Sequence, residues 1–432
     1  MKFGVVSYEK KYLNLDGADK QNLGDWIQML AMEYLFREWG IQEYLRVPRN
    51  TAANYAGETV IVPWNGVLFD MNCNRQWHET FPFSDKIIPI FFSMYYHGVY
   101  MRESTMNHFN KFAPIGCRDE VTMELMKKNG IPAYISGCVT ALFPRRDQRE
   151  VMQNKVLLVD APKGIEDYMP EELRTDILYG TNLYPVKRLE GEHYMTAEES
   201  EAAYNCAKEN LRFWCENAKL IVTSRLHVAI PCMAMGIPVV LAKKQFDKRF
   251  SWVEKFIHPY SFFEWGQIDW NPLPIEYEAE KNELKALLYK RLMQAYHGVK
   301  EETGVCKIFE QREHIPYSYL IKKALINIGI ENTFFENKKY AIWGVTAETI
   351  YVIRNLREIC PTMELVKAYD NYVEGTVEGC QIEKPNCIKE ENELIYFVFA
   401  KSARPEAAEL FEKIQKKYVF VEIDSESWEY HF

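Results

Sequence analysis

Apolar positions along this chain recur with two alternating periods, and that alternation predicts an α/β protein. Residues 3–7, 156–159, 220–223 and 237–241 are short runs, apolar on consecutive positions and rich in β-branched side chains. Such runs read as strands covered on both faces, as in a parallel sheet. Between them the spacing changes. Trp26, Ile27, Leu30, Ala31, Tyr34 and Leu35 recur as one face of a helix, with Asp25 expected at its N-cap and Gly40 as its stop. Further strands are predicted at 58–63, leading into a Trp64-Asn65-Gly66 turn, and at 86–93, ending in Tyr95, Tyr96 and His97. Asp119 is expected to cap a helix that runs to Lys128 and stops at Gly130. Two more helices are predicted over 197–218 and 278–297, the second reaching back across both preceding domains. From residue 339 a third set of strands begins (339–344, 365–369, 394–400), with its own βαβ rhythm.

The stretch 220–242, LIVTSRLHVAIPCMAMGIPVVLA, organises the rest. It predicts strand, helix and strand, with Ser224 as N-cap, Gly236 as the left-handed stop and Pro231 kinking the first turns. Arg225 and His227 then fall where the first strand ends and the helix begins. Ligands of open α/β sheets collect beyond the carboxyl ends of strands, where free amides favour anions. A guanidinium there suits carboxylate or phosphate, and an imidazole can move a proton near neutral pH. The other reading is an Arg–x–His pair satisfied by neighbouring carbonyls and carboxylates. Arg225, His227, Pro231 and Pro238 inside this apolar stretch argue against a membrane span.

Length and composition narrow the classes. A chain of 432 residues divides into two or three domains. The charged, Pro-containing break near 144–150 separates residues 1–148 from 149–330, and 333–432 form a small appended domain. A net charge of -9 disfavours a general nucleic-acid or anionic-membrane binder. Ten Cys are scattered without a CxxC pair or zinc-ligand spacing, so they read as buried apolar residues in a reducing compartment. The N-terminus becomes charged too early for a signal peptide, and a cytoplasmic protein is expected. Gly344-Val345-Thr346-Ala347-Glu348 lacks the later glycines of a dinucleotide loop. Docking or homo-oligomerisation is the expected role of the appended domain.

Thr223-Ser224-Arg225-Leu226-His227, then Ala229-Ile230-Pro231, Gly236-Ile237-Pro238-Val239-Val240 and Lys248, closely resemble the polysaccharide pyruvyl transferase family. Three further pieces occur in the family's order. They are Asn22-Leu23-Gly24-Asp25 before a helix carrying Gln28, the strand ending in His97, and Arg118-Asp119 before a helix with a Gly-Ile stop. Residues 136–140 depart from the pattern, since many relatives carry Asp-Pro around this position. The resemblance covers roughly residues 1–260. It implies two Rossmann-like domains facing across a cleft, as in GT-B glycosyltransferases, with the C-terminal Rossmann-like α/β domain added. It also implies transfer of the pyruvyl group of phosphoenolpyruvate to a sugar or glycan diol, with release of phosphate.

That reaction makes demands which assign roles. Arg225 and Lys248 would hold the small polyanion, and His227 would protonate the enol carbon. Arg118 would contact donor or acceptor from the opposite wall. Asp25 would serve as base or acceptor ligand, with Asn22 facing substrate, although Asn22 to Asp25 also read as turn plus cap. His97 would bind acceptor hydroxyls or merely end a strand. No metal-ligand spacing is visible, and no cofactor beyond the donor substrate is expected. The alternatives are a GT-B-type glycosyltransferase using a nucleotide-sugar and a carbohydrate-binding relative without turnover.

Overall fold

The computed structural model describes residues 1–9, 20–69, 81–97, 101–147, 154–186, 195–244, 248–299, 339–346, 362–388, 394–399, 403–421 and 429–431, with single positions between 324 and 357. The chain separates into two compact units. One comprises residues 1–244 and 252–313, the other 245–251 and 314–432.

The first unit holds two parallel sheets. The N-terminal one comprises β1 (Lys2–Ser7), β3 (Tyr44–Pro48), β4 (Val60–Phe69), β5 (Ile87–His97), β6 (Ile115–Cys117) and β7 (Ala133–Ile135), in the order β3-β1-β4-β5-β6-β7. Helices α1 (Gly24–Glu38), α2 (Glu103–Lys111) and α3 (Glu120–Lys128) lie along its path. The second sheet runs β13-β12-β11-β8-β9, from β8 (Lys155–Val159), β9 (Ile177–Gly180), β11 (Ala218–Thr223), β12 (Val239–Ala242) and β13 (Pro259–Tyr260). With it go the short α4 (Glu171–Arg174), then α5 (Ala197–Asn217) and α6 (Leu226–Ala234). The two halves are stitched by an antiparallel pair, β2 (Lys20–Asn22) with β10 (Leu183–Pro185). These parallel sheets bear out the α/β reading.

Helix α1 is buried nearly all round because it serves both halves. Its Trp26 Nε1 donates to Ser200 Oγ of α5 at 3.3 Å, and that hydroxyl donates to the carbonyl of Tyr8 at 2.9 Å. The buried Glu33 accepts from Tyr204 at 2.5 Å. Helix α7 (Glu278–Tyr296) reaches back as predicted, packing on β4 and β5 of the N-terminal sheet and bonding to the end of α6 in the other half. Its Arg291 donates to the carbonyls of Phe91 and Pro114 and to Tyr134, and its Lys281 to the carbonyl of Ala234 at the end of α6.

The second unit contains a seven-stranded sheet in the order β16-β17-β15-β14-β18-β19-β20. Its strands are β14 (Lys339–Trp343), β15 (Glu364–Tyr369), β16 (Thr376–Val377), β17 (Cys380–Glu383), β18 (Leu394–Val398), β19 (Lys417–Phe420) and β20 (Glu429–His431). The five central strands are parallel and the two edges antiparallel. Helix α8 (Arg404–Lys413) packs Ala407 and Phe411 against Trp343, Tyr396 and Tyr418. Among the described residues no helix is long and apolar enough to cross a membrane.

Three local expectations are corrected. Asp25 is not the cap of α1. The helix starts two residues earlier, after Leu23, where Asn22 Oδ1 accepts the amide of Gly24 at 3.0 Å. Ser224 does not cap α6 either, since its hydroxyl donates to the carbonyl of Asp160 at 2.7 Å and Arg225 occupies the cap position. Trp64-Asn65-Gly66 is not a turn but a bulge within β4, which continues to Phe69. There Gly66 takes φ 89°, a left-handed value that glycine alone adopts at little cost. By contrast, Asp119 caps α3 through the amide of Thr122 at 2.9 Å, and Gly236 ends α6 at φ 72°.

Candidate functional site

In each sheet of the first unit the strand order reverses once. The reversal lies between β1 and β4 in the N-terminal sheet and between β8 and β11 in the second. Connections leave in opposite directions at such a point, and a crevice opens beyond the carboxyl ends of the two strands. Arg225 follows a strand at the second reversal, whereas Arg118 follows β6 and His97 ends β5, on strands beside the first.

At the second reversal, Asp160 follows β8 and Arg225 follows β11. Arg225 Nε donates to Asp160 Oδ2 at 3.1 Å, and the same oxygen accepts the amide of Asn182 at 2.9 Å. Asp160 holds φ 47°, while Thr181 donates to its other oxygen at 2.8 Å. The guanidinium is thus aimed by a carboxylate on its Nε edge. Its side chain stays about a third exposed (34%), and among the described residues its Nη nitrogens have no protein partner. The prediction of a carboxylate-satisfied Arg225 and that of an anion-facing Arg225 are therefore compatible, since a guanidinium has two edges.

His227 opens α6 with ψ 21°, outside the helical range. Pro231 lacks the N–H that would bond to the carbonyl of residue 227, which explains the kink. The ring is 8% exposed and packs on Gly24, the glycine of the Asn22–Asp25 segment. A β-carbon on Gly24 would lie 2.2 Å from His227 Nδ1. This contact joins the most informative motif of each half, and only a glycine permits it.

Asp25 sits in the first turn of α1. Its Oδ2 lies 3.7 Å from Arg49 Nη1, and its Oδ1 takes a long 3.5 Å bond from Gln28 Nε2. The Arg49 guanidinium in turn lies over the ring of Tyr8, 4.8 Å from its centroid. Tyr8 is the first residue beyond β1. Burial, reinforced by Asp25, pushes its phenol well above the usual tyrosine range against the opposing charges of Arg49 and Arg118.

Arg118, the first residue beyond β6, is 2% exposed and stacks over the Tyr95 ring at 4.7 Å. Its amide donates to the carbonyl of Met94 at 2.8 Å, but Nε and Nη2 are buried without an acceptor among the described residues. A buried guanidinium with unpaired donors is costly, and an anion bound there would relieve it.

The remaining candidates are less informative. Asn22 is exposed and gives its Oδ1 to the turn. His97 ends β5 opposite Phe69, and Lys248 opens a short 3-10 turn, Lys248–Phe250, but both side chains lie outside the described residues. The segment 136–140 is bound to β5 through paired serines. Ser136 Oγ accepts the amide of Ser93, and Ser93 Oγ accepts the amide of Val139, each at 2.8 Å. Among the described residues no group of three or more His, Cys, Asp or Glu is arranged to hold a metal.

Sequence reasoning missed Tyr8, Arg49 and Asp160. Tyr8 and Asp160 carry a usable signal, because each is the first residue after a predicted strand. Arg49 carries none, since it reaches the site only through the 3-10 turn after β3.

Among known proteins, no curated sequence matches. A solved structure of an uncharacterized protein from Klebsiella pneumoniae subsp. pneumoniae NTUH-K2044 is 15% identical, covering 58% of this chain and 86% of that one, with a TM-score of 0.33. A nitrogenase Cp1 structure is 12% identical over 88% of this chain and 71% of that one, with a TM-score of 0.20. Neither superposition is close enough to support an argument. The family comparison is informative: residues 92–242, the stretch that holds Arg118, Asp160, Arg225 and His227, match the family model described as polysaccharide pyruvyl transferase, and the chain carries a domain of that family there.

Proposed function

We propose that this protein transfers the pyruvyl group of phosphoenolpyruvate to two hydroxyls of a sugar, forming a cyclic ketal and releasing phosphate. The observation that carries the reading is the buried Arg118 guanidinium with its unpaired Nε and Nη2. It calls for an anion at the end of the N-terminal sheet, while Arg225 presents a second guanidinium at the end of the other. The two sheets then act as the facing halves of a GT-B-like enzyme. The family match over 92–242 supports the same assignment.

Arg118 and Arg225 bind the carboxylate and phosphate of the donor. His227 gives a proton to the enol methylene, which becomes a methyl group and leaves C2 electron-poor. One sugar hydroxyl attacks C2 and its proton passes to Asp25. The C2–O bond to phosphate then breaks with its electron pair, and the second hydroxyl closes the ring at C2. The leaving phosphate accepts that last proton. Asn22 and His97 line the acceptor side.

A thermal-shift titration tests the reading against its main alternative, comparing phosphoenolpyruvate with UDP- and GDP-sugars. Stabilisation by phosphoenolpyruvate, together with phosphate release on adding a sugar acceptor, is expected. Stabilisation by a nucleotide-sugar alone would replace this reading with glycosyl transfer. Folded His227→Ala protein should release no phosphate, and full activity in that variant would remove the acid role.

A further inference from the structure

We propose that the crevice between β1 and β4 is the acceptor subsite, binding hydroxyls of a neutral sugar diol through Tyr8 and Gln28. This rests on the pyruvyl-transfer reading for the identity of the sugar as acceptor, but its geometry is independent of the anion-binding arginines.

The crevice lies where the N-terminal sheet reverses its strand order. Tyr8 OH and Gln28 Oε1 are both buried, and neither has a hydrogen-bond partner among the described residues. They face one gap. A β-carbon on Gly66 would come 3.3 Å from Tyr8 OH and 3.8 Å from Gln28 Oε1, so the missing side chain of Gly66 leaves that space open. The neighbouring bulge residue Asn65 carries a third buried, unpartnered acceptor, Oδ1.

The chemistry of these atoms selects the ligand. Gln28 Nε2 donates to the carbonyl of Gly24 at 3.3 Å and to Asp25 Oδ1 at 3.5 Å, which fixes the amide with its oxygen toward the gap. Asn65 Nδ2 donates to the carbonyl of Pro63 at 3.4 Å, which leaves its oxygen as the unpartnered atom of that amide. Amide oxygens only accept, so the ligand must bring donors. Carboxylate and phosphate bring none, and two acceptor oxygens would repel them. A sugar hydroxyl donates to an amide oxygen and accepts from the Tyr8 phenol, satisfying both. A hydroxyl seated on Gln28 Oε1 also adjoins Asp25, the proposed base, because Asp25 already touches the Gln28 amide. The crevice thus sorts neutral hydroxyls from the anionic donor.

Tyr8→Phe and Gln28→Met keep size and remove the polar atoms. Saturation-transfer NMR with methyl gluco-, galacto- and mannopyranosides, alone and with 2-phospholactate as an unreactive donor analogue, measures sugar binding. Thermal shift measures phosphoenolpyruvate binding in the same proteins. At least one glycoside should bind the wild type and lose about tenfold affinity in each variant, the equivalent of one hydrogen bond. Phosphoenolpyruvate affinity should hold, and Tyr8→Phe should not lower Tm, since its hydroxyl has no partner to lose. Unchanged glycoside affinity in both folded variants, or no glycoside binding to the wild type, overturns the subsite and leaves the donor reading intact. Glycoside binding that responds to Tyr8→Phe in a protein that ignores phosphoenolpyruvate keeps the subsite and refutes the donor reading.

Discussion

Gly24→Ala is the sharpest perturbation this structure offers. The added methyl carbon would lie 2.2 Å from Nδ1, 2.8 Å from Cγ and 2.9 Å from Cβ of His227. Ordinary contact begins at 3.4 Å, so ring or helix must retreat by about 1.2 Å. The ring has little freedom. His227 is 8% exposed, its backbone is kinked above Pro231, and Arg225 just before it is tied to Asp160. Overpacking of this kind costs about 1–3 kcal/mol. Replacing a helical glycine returns roughly 0.5–1 kcal/mol, leaving a net loss of about 0–2.5 kcal/mol. Misplacing a proton donor by about 1 Å costs on the order of 100-fold in rate. Folded Gly24→Ala should therefore bind phosphoenolpyruvate yet release phosphate about 100-fold more slowly. Stability gives a second, activity-free readout. In a His227→Ala background the ring contacts disappear and only the 2.9 Å approach to Cβ remains, so Gly24→Ala should cost clearly less there than in the wild type in urea melts. Additive losses across that double-mutant cycle would refute the claimed packing, and a fully active Gly24→Ala enzyme would refute a chemical role for His227 at this position.

Other expectations can be checked more briefly. His108 lies edge-on to Phe81 and Phe83, with ring centroids 4.6 and 5.3 Å away, and burial, helped by Lys111, lowers its pKa to about 4. The unfolded chain then takes up a proton that the folded one refuses, so stability should fall as pH drops from 6.5 toward 4, by up to about 3 kcal/mol. His108→Phe should flatten that part of the urea-midpoint profile, and an unchanged slope would show that another group titrates. In the second unit the Asp370 carboxylate accepts the amides of Val345 at 2.7 Å, Tyr372 at 2.7 Å and Val373 at 2.8 Å. Asp370→Ala should destabilise that unit by about 3 kcal/mol, read by hydrogen exchange in β14 and β15. Arg118→Lys keeps the charge but loses the fork, so phosphoenolpyruvate affinity should drop about tenfold or more in calorimetry. Equal affinity would remove Arg118 from the donor site.

Much of the fold was legible because it depends on local chemistry. The short apolar runs at 156–159 and 220–223, each bounded by polar residues and too short for a helix, read as strands covered on both faces. Asp119 and Gly236 announce helix ends through groups in their own neighbourhood. The errors were local as well, and each had a competing bond. Asn22 took over the Gly24 amide, and Ser224 turned to the carbonyl of Asp160, 64 positions away. Arg118, Arg225 and His227 could be picked out because strand ends are recognisable in the chain, and so could have Tyr8 and Asp160.

What each of those groups faces was decided only by tertiary packing. No spacing rule says that Gly24 presses on a ring 203 positions later, since that contact depends on the seating of α1 against both halves. Nor does sequence show that Arg225 spends its Nε edge on Asp160 while Arg118 keeps two buried donors unpaired. Partnership is set by distance and direction in three dimensions. A residue type states what it can bond, and only the fold states what is left over for a ligand.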